Sequence, residues 1–190
     1  MILPIRAFGD PVLRKVGKDI DQDYPELKTL IDNMFETMNG ANGIGLAAPQ
    51  IGLDIRLFIV DITPLAEDED YEDIAEELKT FKKVFINAQI LEESGEEWKF
   101  NEGCLSIPDV REDVKRKETI VIEYYDENFV KHTDTFSDIR ARVIQHEYDH
   151  IDGILFTDHL SALKKKLVKG KLQRIAGGDV GVNYKMRFPK

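Results

Sequence analysis

The chain has 190 residues and 21.8 kDa, of which 42% are hydrophobic, enough for one domain to bury a core of its own. A formal charge of -10 and a pI near 4.9 exclude the broad positive field of a nucleic-acid binder, so no specific DNA contact is expected. No window approaches the roughly eighteen apolar residues of a membrane span, the opening "MILPIRAFGDPVLRKV" has no apolar leader, and the single cysteine cannot form an internal disulfide, which together read as cytoplasmic.

In chain order, Leu27, Leu30, Ile31, Met34 and Met38 recur at helical spacing behind a cap region at Asp23 and Pro25, and Gly40 ends the pattern. The glycine-rich "GANGIGLAAPQIG" follows, then "IRLFIVDI", whose β-branched and aromatic residues suit a buried strand. Within the first of these, "GIGLAA" matches a dinucleotide fingerprint, but that fingerprint needs a strand before it and a helix after it. The order here is reversed, so nicotinamide binding is rejected. From Glu67 to Glu77 eight acids in eleven positions resist burial and read as a solvated insertion or loop.

The segments "KVFINAQIL", "ETIVIEYYD" and "FVKHTDTF" are strands, the last two joined across "DEN" as a hairpin. "SDIRARVIQHEYDHIDG" reads as a helix between a Ser137/Asp138 cap and Gly153. Residues 159–176 form a C-terminal helix, with Leu160, Leu163 and Leu167 as its packed stripe and lysines on its wet face. The sum is an α+β chain with one domain over 1–190: mixed, mainly antiparallel sheets packed around a central helix, with N-terminal and C-terminal helices.

That central helix carries His-Glu-x-x-His. Side chains at i and i+4 lie about 40° apart around a helix axis, so His146 and His150 can share one ion, while Glu147, about 100° from His146, can reach a water beside it. Ile139 and Val143 continue the same face, so the histidines emerge from an apolar stripe. A third ligand is needed. The metzincin spacing runs through Gly153 and fails at Phe156, and the thermolysin spacing fails because no Glu follows Ile151. Asp152, Asp158 and His159 have no recognised spacing. Upstream stands the only cysteine, Cys104 in "NEGCLSIPD", where Glu102, Gly103, Ser106 and Pro108 describe a tight, irregular backbone at a cleft edge. A free cysteine is more often an inert buried thiol.

Three separated stretches, "GIGLAAPQ", "EGCLS" and "QHEYDH", stand in the order that marks the peptide deformylase family, and the chain resembles it over most of its length. "VNYKMRF" near the C-terminus is not part of that likeness. The resemblance implies a metal held by Cys104, His146 and His150 with water in the fourth position, ferrous iron natively and zinc, nickel or cobalt as substitutes. Cys/His₂ ligation by itself suits zinc equally. It implies hydrolysis of the N-formyl group from the methionine that begins a nascent polypeptide, with Glu147 as proton acceptor and donor. The resemblance further implies that Gln50 and the backbone N–H of Leu105 stabilise the oxyanion and that Gly45 lets the loop pass close to substrate. Ile44, Phe100, Ile139 and Val143 are candidates for the methionine pocket; Glu102 and Arg111 join them as substrate-binding residues. Arg142, one turn before His146, faces either substrate or solvent.

Two rival readings stand beside this one. A metallo-endopeptidase shares the helix motif but not the cysteine, and a non-catalytic metal-binding or ribosome-associated domain would draw on the basic C-terminal stretch. Lys164, Lys165, Lys166, Lys169 and Lys171 form a local positive patch, which a transient ribosome contact would use, although a plain solvated helix face explains it too.

Overall fold

In the computed structural model, which describes residues 1–189, a short strand β1 (Ile5–Arg6) leads through a 3₁₀ turn to helix α1 (Leu27–Gly40). Strands β2 (Gly45–Ala47) and β3 (Leu57–Asp61) follow, then the short helix α2 (Ala75–Leu78). Two long strands, β4 (Lys82–Cys104) and β5 (Ile107–Tyr125), precede β6 (Lys131–Ser137), helix α3 (Asp138–Ile151), helix α4 (Ala162–Ala176) and β7 (Met186–Arg187). The main sheet is antiparallel in the order β2-β3-β4-β5-β6, and β1 pairs with β7 in parallel.

Strand β3 explains how the layers form. Every residue of "LFIVD" is buried, and the two-residue period sends Leu57 and Ile59 to one face and Phe58 and Val60 to the other. The first pair packs against Leu27, Ile31, Met34 and Met38 of α1; the second packs against Ile139, Val143, Ile144 and Ile151 of α3. A strand covered on both faces reads as one apolar run, as this one does. Before Thr119, β5 pairs with β4 alone, and the apolar side of this two-stranded ribbon, with Val110 and Val114, packs with α4 residues Val168 and Ile175.

Several expectations are corrected. The acidic run forms helical turns, not a loop: Tyr71, Ile74 and Leu78, at helical spacing, turn inward and leave the acids in water. Helix α1 starts behind Glu26, in left-handed backbone with φ 53° and no side-chain cap, so Asp23 and Pro25 lie outside it. Helix α4 begins at Ala162 because Phe156–His159 form a separate 3₁₀ turn. Its packed stripe is Val168, Leu172 and Ile175, whereas Leu163 and Leu167 are 69% and 70% exposed. The expected stop at Gly153 holds for two reasons: its φ is 73°, and a β-carbon would meet the Arg14 backbone at 2.8 Å.

Candidate metal centre

Strand β4 ends at Cys104 and β5 resumes at Ile107, so the cysteine stands at the tip of the long hairpin. Glu102, Gly103 and Pro108 belong to the strands, and the irregular backbone expected around them consists of the register shift at Gly103/Cys104, the Leu105–Ser106 turn and Asp109, whose φ is 60°. That turn is tied down from three sides. Phe8 N–H donates to the Ser106 carbonyl (2.8 Å), and the Tyr184 hydroxyl donates to the Leu105 carbonyl (2.8 Å). Gln50 Nε2 donates to Ser106 Oγ (3.3 Å) and to Cys104 Sγ (3.4 Å), while Gln50 Oε1 accepts from Ala47 N–H (2.8 Å). Burial raises the Tyr184 phenol to about 12, which keeps it a neutral donor near pH 7.

Facing the tip, α3 presents both imidazoles. Cys104 Sγ lies 3.2 Å from His150 Nε2, and the ligand atoms of Cys104, His146 and His150 all fall within 4.8 Å of one another. Burial pushes the Cys104 thiol up, but His150 and His146 beside it more than reverse this and bring it to about 5. The sulfur is therefore a thiolate at neutral pH, the form that binds a metal. One soft anion and two imidazoles make a donor set that fits a single divalent transition ion. His150 Nδ1 and Glu147 Oε2 are buried without a hydrogen-bond partner among the described residues. The carboxyl of Glu147, 4% exposed, is raised by burial to about 7, against the lowering pull of the histidines.

Glu102 proves to be part of the support for the centre. His146 Nδ1 donates to Glu102 Oε2 (2.9 Å), which leaves Nε2 of that ring free to ligate. The same carboxylate accepts from Arg116 Nε (2.8 Å) and Nη2 (3.0 Å) and from Arg142 Nη1 (3.0 Å). Burial would raise it, but the hydrogen bonds from His146 and Arg116 hold it well below the usual carboxylate range. Both oxygens are taken, so Glu102, which also lines the cleft beside the centre, acts on this geometry as a partner of His146. The Arg142 side chain is turned away from solvent. It is 1% exposed, donates to the Trp98 and Val114 carbonyls (2.7 and 3.2 Å) and lies 4.3 Å from the Trp98 ring.

Cys104 and His146 line a cleft of about 600 Å³. Ile44, Gly45 and Gln50 line one side, and Phe100, Arg111 and Val143 lie around it with Leu105 and Glu147. A β-carbon on Gly45 would lie 2.4 Å from Glu147 Oε1, so the carboxylate requires the glycine. Arg111 sits at the rim, half engaged with Asn101 Oδ1 (2.9 Å) and the Asn101 carbonyl (2.6 Å). Ile139 is corrected: it is 1% exposed in the core beneath the sheet and lines no part of the cleft.

Sequence reasoning missed Arg116 and the segment Gly181–Tyr184, which also lines the cleft. Arg116 carried a signal, since Val110, Val114, Ile120, Ile122 and Tyr124 mark one inward face of β5 and a charged residue in that register implies a buried partner. The tail carried none.

The family model for polypeptide deformylases matches residues 2–166. A peptide deformylase of Christiangramia forsetii is 62% identical over 190 residues, covering 100% of this chain and 97% of that protein; one of Flavobacterium johnsoniae is 60% identical over 189 residues, covering 99% and 96%. Among solved structures, a peptide deformylase from Legionella pneumophila superposes with TM-score 0.79 at 35% identity, covering 94% of this chain and 98% of that one. The Thermotoga maritima peptide deformylase gives TM-score 0.73 at 35% identity, covering 85% and 99%.

Proposed function

Because the chain belongs to the polypeptide deformylase family, an enzyme that removes the N-formyl group from nascent polypeptides, we propose that Cys104, His146 and His150 hold its one catalytic cation. The reaction adds water across the formamide C–N bond and yields formate and a free amino terminus. The convergence of one thiolate and two imidazoles, separated by 42 positions of sequence between Cys104 and His146, supports this reading. Bound there, a divalent ion supplies Lewis-acid polarisation and a more acidic water.

The chain's own groups do the rest. Glu147, buried at the cleft and raised toward 7, takes the proton of the attacking water and returns it to the departing amine. Gln50 Nε2 and the Leu105 N–H donate to the carbonyl oxygen as it gains charge. Gly45 leaves room for the Glu147 carboxylate. Ile44, Phe100 and Val143 wall the pocket for the methionine side chain, and Arg111 at the rim holds the peptide backbone. In this reading α3 is the motif helix of a single catalytic domain over 1–190, with 67–77 an acidic insertion.

Ferrous iron is the native ion; zinc, nickel and cobalt fit the same donors. The exposed lysines of α4 give a transient ribosome contact, weakened by salt and modest because Lys164 already pairs with Glu112 at 2.8 Å. A substrate made at the ribosome assigns the enzyme to the cytoplasm.

Metal analysis of protein purified without air, together with formate release from formyl-Met-Ala, tests the centre. Cys104→Ala and His150→Ala lose the ion and at least about 10³-fold in rate. Variants that keep both would overturn the assignment.

A further inference from the structure

The segment between α4 and β7 supplies none of the three clustered donors and lies beyond the residues matched by the family model, yet Gly181, Val182, Asn183 and Tyr184 line the cleft. It is held at both ends. Before it, Asp179 N–H donates to the Arg174 carbonyl (2.9 Å) and the two side chains pair at 2.7 Å. After it, Ile5 N–H donates to the Lys185 carbonyl (2.8 Å) and Ala7 N–H to the Arg187 carbonyl (2.9 Å), where β1 and β7 pair. Tyr184 pins its far end: the ring packs against the same α1-side core as Leu105, and the hydroxyl meets the Leu105 carbonyl at 2.8 Å.

Between these anchors, the peptide N–H and C=O groups of Gly181, Val182 and Asn183 make no hydrogen bond to any of the described residues. Free main-chain groups beside a cleft are partners for another main chain, since each such group must be satisfied by something, water or ligand. The stretch Gly-Val-Asn is uncharged, so it selects no side-chain charge.

We propose that Gly181–Asn183 forms a peptide-binding wall of the cleft, contacting the substrate main chain beyond its formylmethionine, and that Tyr184 is the positioning residue that fixes this wall against Leu105. The proposal rests on the assignment of the cleft as the deformylation site. The wall discriminates by substrate length and not by sequence.

The test compares KM and kcat for formyl-Met amide and for formyl-Met-Ala-Ser-Ala, in metal-loaded parent, Tyr184→Phe and Val182→Pro. Tyr184→Phe keeps the ring and removes one hydrogen bond; Val182→Pro removes one main-chain donor without touching the core. In each variant the KM for the longer peptide rises about three- to tenfold more than the KM for the amide, the worth of one hydrogen bond, with metal content and thermal midpoint near the parent's. Equal changes for both substrates, or none in either variant, would overturn the wall. Failure of the site assignment shows separately, as a metal-loaded parent that releases no formate from either substrate.

Discussion

Glu102 Oε2 and His146 Nδ1 are 2.9 Å apart, so a carboxylate on the hairpin sets the tautomer of an imidazole on the helix. The same carboxylate sits between two buried guanidiniums, Arg116 and Arg142. Glu102→Gln keeps the shape but removes the charge that pairs with Arg142, while Arg116 keeps Asp149 at 2.8 Å. Urea unfolding should show a loss of about 3 kcal/mol, because a broken buried pair leaves uncompensated charge. Chelator competition should show ion affinity reduced about 10- to 100-fold, the usual effect of removing a ligand's outer partner.

Gly45 and Glu147 give the sharpest steric prediction. Gly45→Ala would set a methyl 2.4 Å from Glu147 Oε1, so the carboxylate has to leave its position. Formate release should fall about 10²-fold, within the range set by loss of general acid-base catalysis, while ion content and circular dichroism stay those of the parent.

Gln50 separates donor from acceptor. Its Oε1 serves Ala47 N–H and its Nε2 points to Cys104 and Ser106, so Gln50→Glu preserves the first contact and abolishes the second. On the proposed role, kcat drops about 10²- to 10³-fold. Retention of full activity would remove Gln50 from the oxyanion site.

Helix α4 predicts opposite outcomes for residues of one type. Leu163→Ala and Leu167→Ala should change stability by less than about 0.5 kcal/mol, because both side chains are largely in water. Ile175→Ala, at 3% exposure, should cost about 2–4 kcal/mol in the same urea titration.

Asp158 sets a pH dependence. Burial raises its carboxyl, but the Arg14 guanidinium and the Leu155 N–H hold it below the ordinary range. A lowered folded-state value means that its stabilisation is complete above about pH 4 and fades as the pH falls through the lowered value. Asp158→Asn should therefore lower the urea midpoint at pH 6 and converge on the parent at low pH. The gap narrows in high salt, since the carboxylate is 39% exposed.

Much of the fold was legible because burial leaves a period in the sequence. The 3.6-residue recurrence of Leu27, Ile31, Met34 and Met38 and the apolar run of β3 both report what covers them. The placing of Cys104, His146 and His150 in one cluster was readable only through the resemblance, as nothing local links a hairpin tip to a helix 42 positions on. Ile139 was misjudged because it shares an angular position with Val143 but lies a turn further from the histidines, and the sheet edge decides which of the two reaches the cleft. Leu163 and Leu167 were misjudged for a similar reason. Two stripes of equal period run along α4, and only tertiary packing chooses Val168, Leu172 and Ile175.

The turn that carries Cys104 is fastened to the Phe8 amide, the Gln50 side chain and the Tyr184 hydroxyl, none of which is a metal ligand. These ties bring the sulfur toward the imidazoles without the help of coordination, so the entropy of closing the site is expected to be met by folding and not by ion binding. The fold should then not depend on its ion as a zinc finger does. Stripping the ion with a chelator should silence the enzyme and leave its architecture standing.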